Sequence, residues 1–162
     1  MTGANFLLEI EDKKILIDCG LTQGIKLADD INWDPFPYNS KDVDILFITH
    51  AHMDHVGRVP KLIHEGFRRK IYSTKPTKSL ALPMLEDAAG ILSKNTELNL
   101  DKIYTPENIK LAFSIWQGFD YHERIAITSN LEAQFLNAGH ILGSAMILFI
   151  YNGKKILFTG DL

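Results

Sequence analysis

The run Val43-Asp44-Ile45-Leu46-Phe47-Ile48 leads without a break into Thr49-His50-Ala51-His52-Met53-Asp54-His55. A short run that is apolar except at Asp44 fits a mostly buried strand. It delivers four potential metal ligands within six residues. Histidines two apart on an extended segment project to one side, so His50 and His52 should act together. Helical periodicity begins near Asp54, with Val56, Val59, Leu62 and Ile63 on one side of a helix over residues 56–65, so the side chains of Asp54 and His55 should diverge from the first pair. A lone Asp here would read as a helix cap. In this company the residues offer two adjacent metal positions, one served by His50 and His52 and the other by Asp54 and His55. Neutral imidazole and carboxylate suit zinc, iron or manganese.

The rest of the chain follows this strand-into-ligand pattern. Apolar strands at residues 6–10 and 14–18 flank a charged turn, and the second ends on Asp18-Cys19-Gly20. Residues 19–42 are polar, contain Gly20, Gly24, Pro35 and Pro37, and read as a long loop beside a site. A strand is expected at 69–73. A long helix should follow at 75–94, with Pro76 in its first turn and a kink or restart at Pro83. Another helix is expected at 107–117. Strands are expected at 123–128, 133–138, 145–151 and 155–159, and the last two should be joined by a tight turn at Asn152-Gly153. The alternation implies an α/β sandwich of mixed sheets.

Two further motifs lie at strand ends. His140 sits in the glycine-flanked turn Asn137-Ala138-Gly139-His140-Ile141-Leu142-Gly143-Ser144, where it would complete the ligands of the first metal. Asp161, behind Gly160, can bridge two metals, and Asp18 can orient the ligand loop. His64 and His122 read as surface residues, Cys19 as a buried small side chain, and Ser144 as a turn former. Trp33, Phe36 and Tyr38 can either stack a base or anchor their loop.

Composition bounds the alternatives. The 162 residues, 46% of them hydrophobic, suffice for one core and not for two ordinary domains. The formal net charge of -3 argues against a generally basic surface coated with nucleic acid, though not against a local groove. The single cysteine excludes an intrachain disulfide and a four-cysteine zinc site. The first residues do not read as a signal peptide, and no run of about 18 apolar residues spans a membrane. A reducing, cytoplasmic location is the expectation.

These motifs, in this order, resemble the metallo-β-lactamase superfamily. Asp18 matches its first motif, His50, His52, Asp54 and His55 its HxHxDH signature, and His140 and Asp161 its third and fourth motifs. Thr2-Gly3-Ala4-Asn5, Leu85-Glu86-Asp87, the Gly139-His140 block and Phe158-Thr159-Gly160-Asp161-Leu162 are similar to its RNA-processing β-CASP branch. The resemblance implies a partial metallo-β-lactamase-like αββα sandwich. Residues 1–162 would form the N-terminal portion of that domain, without the β-CASP domain and the C-terminal return of the fold. It implies two divalent metal ions, expected to be zinc. One would be held by His50, His52 and His140, the other by Asp54 and His55, with Asp161 between them. A final histidine of the second site has no counterpart here.

The implied activity is hydrolysis of RNA phosphodiesters by activated water, with Asp54 and Asp18 as the catalytic carboxylates and Asp18 in an orienting role. RNA would be the partner of the full-length protein. Exposed sheet edges would favour homo-oligomers. A small-molecule metallo-hydrolase of the glyoxalase or thioesterase type stays open, as does an inactive partial metal-binding module.

Overall fold

The computed structural model describes residues 3–24 and 28–162. Thr2 of the Thr2-Gly3-Ala4-Asn5 motif lies outside them. Strands β1 (Phe6–Ile10) and β2 (Lys13–Ile17) form the expected hairpin, paired from Phe6 opposite Ile17 to Ile10 opposite Lys13. Its turn is one residue tighter than the charged tripeptide implied, with Glu11 at φ 53°. Strands β3 (Ile45–Phe47), β4 (Lys70–Thr74) and β5 (Trp116–Phe119) extend the sheet in parallel, in the order β1-β2-β3-β4-β5. A second, antiparallel sheet has the order β6 (Ile125–Ala126), β7 (Leu131–Asn137), β8 (Ala145–Tyr151) and β9 (Lys154–Phe158). The β8–β9 turn is Asn152-Gly153, at φ 48° and 77°, where glycine is suited to the left-handed backbone.

Strand alternation divides the apolar side chains between two cores. Ile15, Ile17, Ile45 and Phe47 face the second sheet and pack with Phe135, Ile147 and Phe149. Leu16, Leu46 and Ile71 point the other way, into Val59, Leu62, Ala81, Leu85, Ile109 and Ala112. The strands at the centre of the first sheet are therefore apolar on both faces, as buried parallel strands require. Phe47 lies at the centre of the inter-sheet core, 5.1 Å from the Phe149 ring and 5.4 Å from that of Tyr72. Burying such a side chain contributes about 2 kcal/mol.

The helices are α1 (Ala28–Trp33), α2 (Met53–Val56), α3 (Val59–His64), α4 (Lys75–Leu92), α5 (Leu100–Ile103) and α6 (Pro106–Ser114). Several differ from the sequence reading. Residues 19–42 are not featureless; they hold α1 and a 3-10 turn at Ser40–Asp42. The helix expected over residues 56–65 is two short helices, α2 and α3, broken at Gly57 and Arg58. α4 runs unbroken through Pro83, which is exposed, so water can satisfy the carbonyl it leaves unbonded. α6 ends at Ser114 because Trp116 is taken into the sheet, where its indole donates to Ser73 Oγ at 2.8 Å. The strand expected at 123–128 is only two residues long.

Among the described residues, helices cover one face of the first sheet and none covers the outer face of the second. The layers are helix, sheet, sheet, a partial sandwich of the expected kind. No helix is long and apolar enough to cross a membrane.

Candidate metal centre

The parallel strands end at one edge of the sandwich, and the chemistry gathers there. Asp18 follows β2 at φ 59°, a left-handed backbone unusual for a non-glycine residue. This conformation turns its buried carboxylate toward the loop after β3. There Oδ1 accepts from the Thr49 backbone N–H at 2.8 Å and Oδ2 from the Thr49 hydroxyl at 2.8 Å. His55 Nδ1 lies 2.8 Å from the same Oδ2. His50 Nδ1 lies 3.0 Å from Thr49 Oγ1. This network assigns an Nδ1–H to both His50 and His55 and leaves their Nε2 lone pairs facing the cluster. Burial pushes the Asp18 carboxyl up, with His55 and Thr49 opposing, and it pushes His50 down to about 3. His50 is thus neutral at pH 7, the form that binds metals.

The ligand loop is fastened along its length. Cys19 N–H donates to His55 O at 2.7 Å, Leu21 N–H to Met53 O at 2.9 Å and Ala4 N–H to Asp54 O at 2.8 Å. Arg58, itself buried, donates through Nε to Gly20 O at 2.6 Å and through Nη1 to Ile31 O at 3.2 Å. A Cβ on Gly20 would lie 1.6 Å from Asp54 O, so only glycine allows this approach. Phe36 is buried, stacks on Tyr38 at 5.2 Å, and carries Lys61 Nζ 4.2 Å from its ring centroid. Trp33 packs edge-on against Tyr104. Of the two roles open to these aromatics, loop anchoring accounts for their contacts.

The second loop arrives from β7. Ser144 Oγ accepts from the N–H groups of His140 and Ile141, both at 3.1 Å, which is the turn role. The hydroxyls of Thr74 and Thr77 lie 2.6 and 2.8 Å from Gly143 O, tying the turn to the start of α4. Ala145 N–H donates to Thr49 O at 2.9 Å and joins the two loops directly.

Two sets of ligand atoms converge. In the first, His52 Nδ1 lies 3.1 Å from His50 Nε2 and 3.2 Å from His140 Nε2. Asp161 Oδ2 stands 3.9 Å from His50 Nε2 and 3.8 Å from His140 Nε2. A tetrahedral ion with bonds of about 2.05 Å has ligand–ligand edges of about 3.3 Å, so this cage fits a small divalent ion. In the second set, Asp54, His55 and Asp161 gather, with His55 Nε2 3.3 Å from Asp161 Oδ1. The two oxygens of Asp161 thus face different sets. Asp54 is buried, yet its carboxylate accepts no hydrogen bond from the described residues; it does not cap α2 and is free to bind a cation. A cleft of about 620 Å³, lined by Asn5, Phe6, Asp54, His55, Phe158 and Asp161 among others, opens beside this set.

All the sequence-derived site residues come together, with Asp18 bonded to Thr49 and His55 behind the candidate ligands. His64 and His122 are exposed and join neither set. Cys19 is buried, with its thiol pushed up to about 12 by burial, and it joins neither set. Neither Thr49 nor Arg58 carries a sequence signal of its role. Thr49 stands inside the quoted run, but its hydroxyl matters only through contacts with Asp18 and His50.

Residues 7–162 match the family described as a metallo-beta-lactamase superfamily domain, and the chain belongs to that superfamily. Within it, the chain is homologous to the β-CASP RNA-processing nucleases. A ribonuclease of Thermus thermophilus is 35% identical over 162 residues, covering 100% of this chain and 35% of the relative. An RNase J-like protein of Methanocaldococcus jannaschii is 38% identical over 160 residues, covering 96% of this chain and 32% of the relative. Cleavage and polyadenylation specificity factor 73 of Drosophila melanogaster is 32% identical over 160 residues, covering 96% and 22%. The chain therefore spans about a third or less of the length of these relatives. The metallo-beta-lactamase fold protein YhfI of Bacillus subtilis shares the fold, with a TM-score of 0.60 at 14% identity over 99% of this chain and 55% of that one.

Proposed function

We propose that this chain carries the metal-binding part of an enzyme that hydrolyses RNA phosphodiester bonds. The observation that carries the reading is the pair of ligand sets sharing Asp161 at the mouth of an open cleft. His50, His52 and His140 would hold one divalent ion, Asp54 and His55 the other, and Asp161 would face both. Nitrogen-rich ligands at tetrahedral spacing favour zinc. Such ions supply Lewis acidity toward phosphate oxygens and make water a stronger acid.

The chain's own groups do the positioning. Asp18 holds His55 in one tautomer, and Thr49 holds His50. Asp54, with its unpartnered carboxylate facing the cleft, is placed to bind a cation and to take a proton from water. RNA as the substrate is supported by the ribonuclease names of the relatives. We place the 162 residues as the N-terminal portion of the relatives' metallo-β-lactamase domain, in keeping with the third of their length that is matched. A cytoplasmic location goes with an RNA substrate. β1 and β9 have no outer partner among the described residues and expose Phe6 and Leu157, which supports self-association of this chain.

The test is metal content by mass spectrometry together with cleavage of labelled RNA. Two ions per chain and metal-dependent cleavage, both lost in His50→Ala, are expected. One weakly held ion and no cleavage by homogeneous, folded protein would overturn the reading. Cleavage of thioesters in place of RNA would assign the centre to a small-molecule hydrolase. Sedimentation equilibrium across protein concentration tests self-association, and a strictly monomeric chain would refute it.

A further inference from the structure

At the pole opposite the metal centre, the parallel strands begin. Lys13 opens β2, Lys70 opens β4, and Arg68 and Arg69 immediately precede β4. With Asp44 and Tyr72 among the other lining residues, these four cations border a cleft of about 430 Å³.

The charges are unequally committed. Asp44 Oδ2 accepts from the Lys14 backbone N–H at 3.0 Å, and Lys13 pairs with Asp12 at 3.0 Å. Arg68 donates to the carbonyls of Ile63 and Phe67 at 2.5 and 2.7 Å, contacts that hold its side chain without neutralising it. The side chains of Arg69 and Lys70 are exposed and make no hydrogen bond or ion pair among the described residues. A chain with a net charge of -3 thus keeps two adjacent, uncommitted cations at the rim of a concave surface. Five residue steps along β2, at about 3.3 Å each, separate this pole from Asp18 by about 17 Å.

We infer that this cleft is a second RNA contact, binding the phosphate backbone at a point remote from the metal centre through Arg69 and Lys70. The inference rests on the RNA reading above, which brings a polyanion to this chain. Phosphate contacts of this kind supply affinity without reading sequence. A guanidinium beside an ammonium can serve neighbouring phosphates, the first by paired hydrogen bonds and the second as a point charge. Arg68, fixed by its carbonyl bonds, adds positive potential to the same cleft.

The test is anisotropy of a labelled single-stranded RNA with the 162-residue chain, with metals removed by chelator so that nothing is cut. Wild type is compared with Arg69→Gln/Lys70→Gln. Arg68 is left in place because its loss would remove its bonds to the Ile63 and Phe67 carbonyls at and just after the end of α3, and the urea midpoint of the double variant checks that it is folded.

Each single-strand phosphate contact contributes about 0.7 to the slope of log K against log salt. The double variant should therefore lose about 1.4 from that slope and bind about 25-fold more weakly near about 0.1 M salt. An unchanged slope in a folded variant overturns the inference, and if wild-type protein with metal still cleaves RNA, the proposed function survives it. The expected slope change without any cleavage would sink the proposed function and leave the contact standing. An unchanged RNA slope together with polyglutamate binding that depends on Arg69 and Lys70 would give the cleft to an acidic protein, and that outcome also overturns it.

Discussion

Replacing Asp18 by Asn removes one charge and, at one oxygen, turns an acceptor into a donor. The retained oxygen can still accept from the Thr49 backbone N–H. The new amide nitrogen must then face Thr49 Oγ1 and His55 Nδ1, which both stand 2.8 Å from Asp18 Oδ2. Two donors cannot satisfy each other. Either His55 loses a charge-assisted bond worth about 2 kcal/mol, or its proton moves to Nε2, the nitrogen 3.3 Å from Asp161 Oδ1. Both outcomes weaken the set formed by Asp54, His55 and Asp161. Loss of such a supporting partner costs about 10- to 100-fold in metal affinity, or about 1.4 to 2.7 kcal/mol. The set containing His50 should lose less, because Thr49 still accepts from His50 Nδ1. Zinc titration by calorimetry with a two-site fit reads both affinities. The same donor clash should lower the urea midpoint of the metal-free protein, by less than that bond is worth because burial disfavours the charged form of Asp18. Equal loss at both sites, or no loss at either in a folded variant, would refute the tautomer argument.

Three further outcomes follow from particular contacts. Gly20→Ala forces a Cβ to within 1.6 Å of Asp54 O and should cost about 3 kcal/mol or more in urea unfolding, with loss of metal binding. Gly90→Ala is its counterpart: nothing lies within 4 Å of the added carbon in α4, so stability should rise by about 0.5 to 1 kcal/mol. Cys19, pushed up to about 12 by burial, keeps its proton in the folded chain while the unfolded thiol ionises near 9.0, so folding loses stability as pH rises above 9. By linkage this is about 1.4 kcal/mol at about pH 10. The stability difference between wild type and Cys19→Ala should shrink by that amount between about pH 8 and about pH 10, and no change would refute the burial argument.

Part of this protein follows from short-range chemistry. The run into His50-Ala51-His52-Met53-Asp54-His55 declares a buried strand and a set of candidate ligands because strand geometry and helix onset act over a few residues. The Asn152-Gly153 turn is equally local, since its φ values suit those residue types. His140 alone is ambiguous in the sequence; it and Asp161 read as candidate ligands only beside the His50–His55 run and the family resemblance. Other features depend on partners far along the chain. Trp116 continues an apolar helical pattern on its own, and it becomes strand only because Ser73 and β4 receive it. Gly57 and Arg58 divide a seemingly continuous helix because Arg58 is drawn to Gly20 O, 38 residues away.

The left-handed backbone of Asp18 and the two directions of the Asp161 oxygens likewise exist only once two sheets and four loops meet. Side-chain pattern and turn preference are properties of neighbours in sequence, so they can be read before folding. Tautomer, burial and shared ligation are properties of neighbours in space, and packing alone sets them.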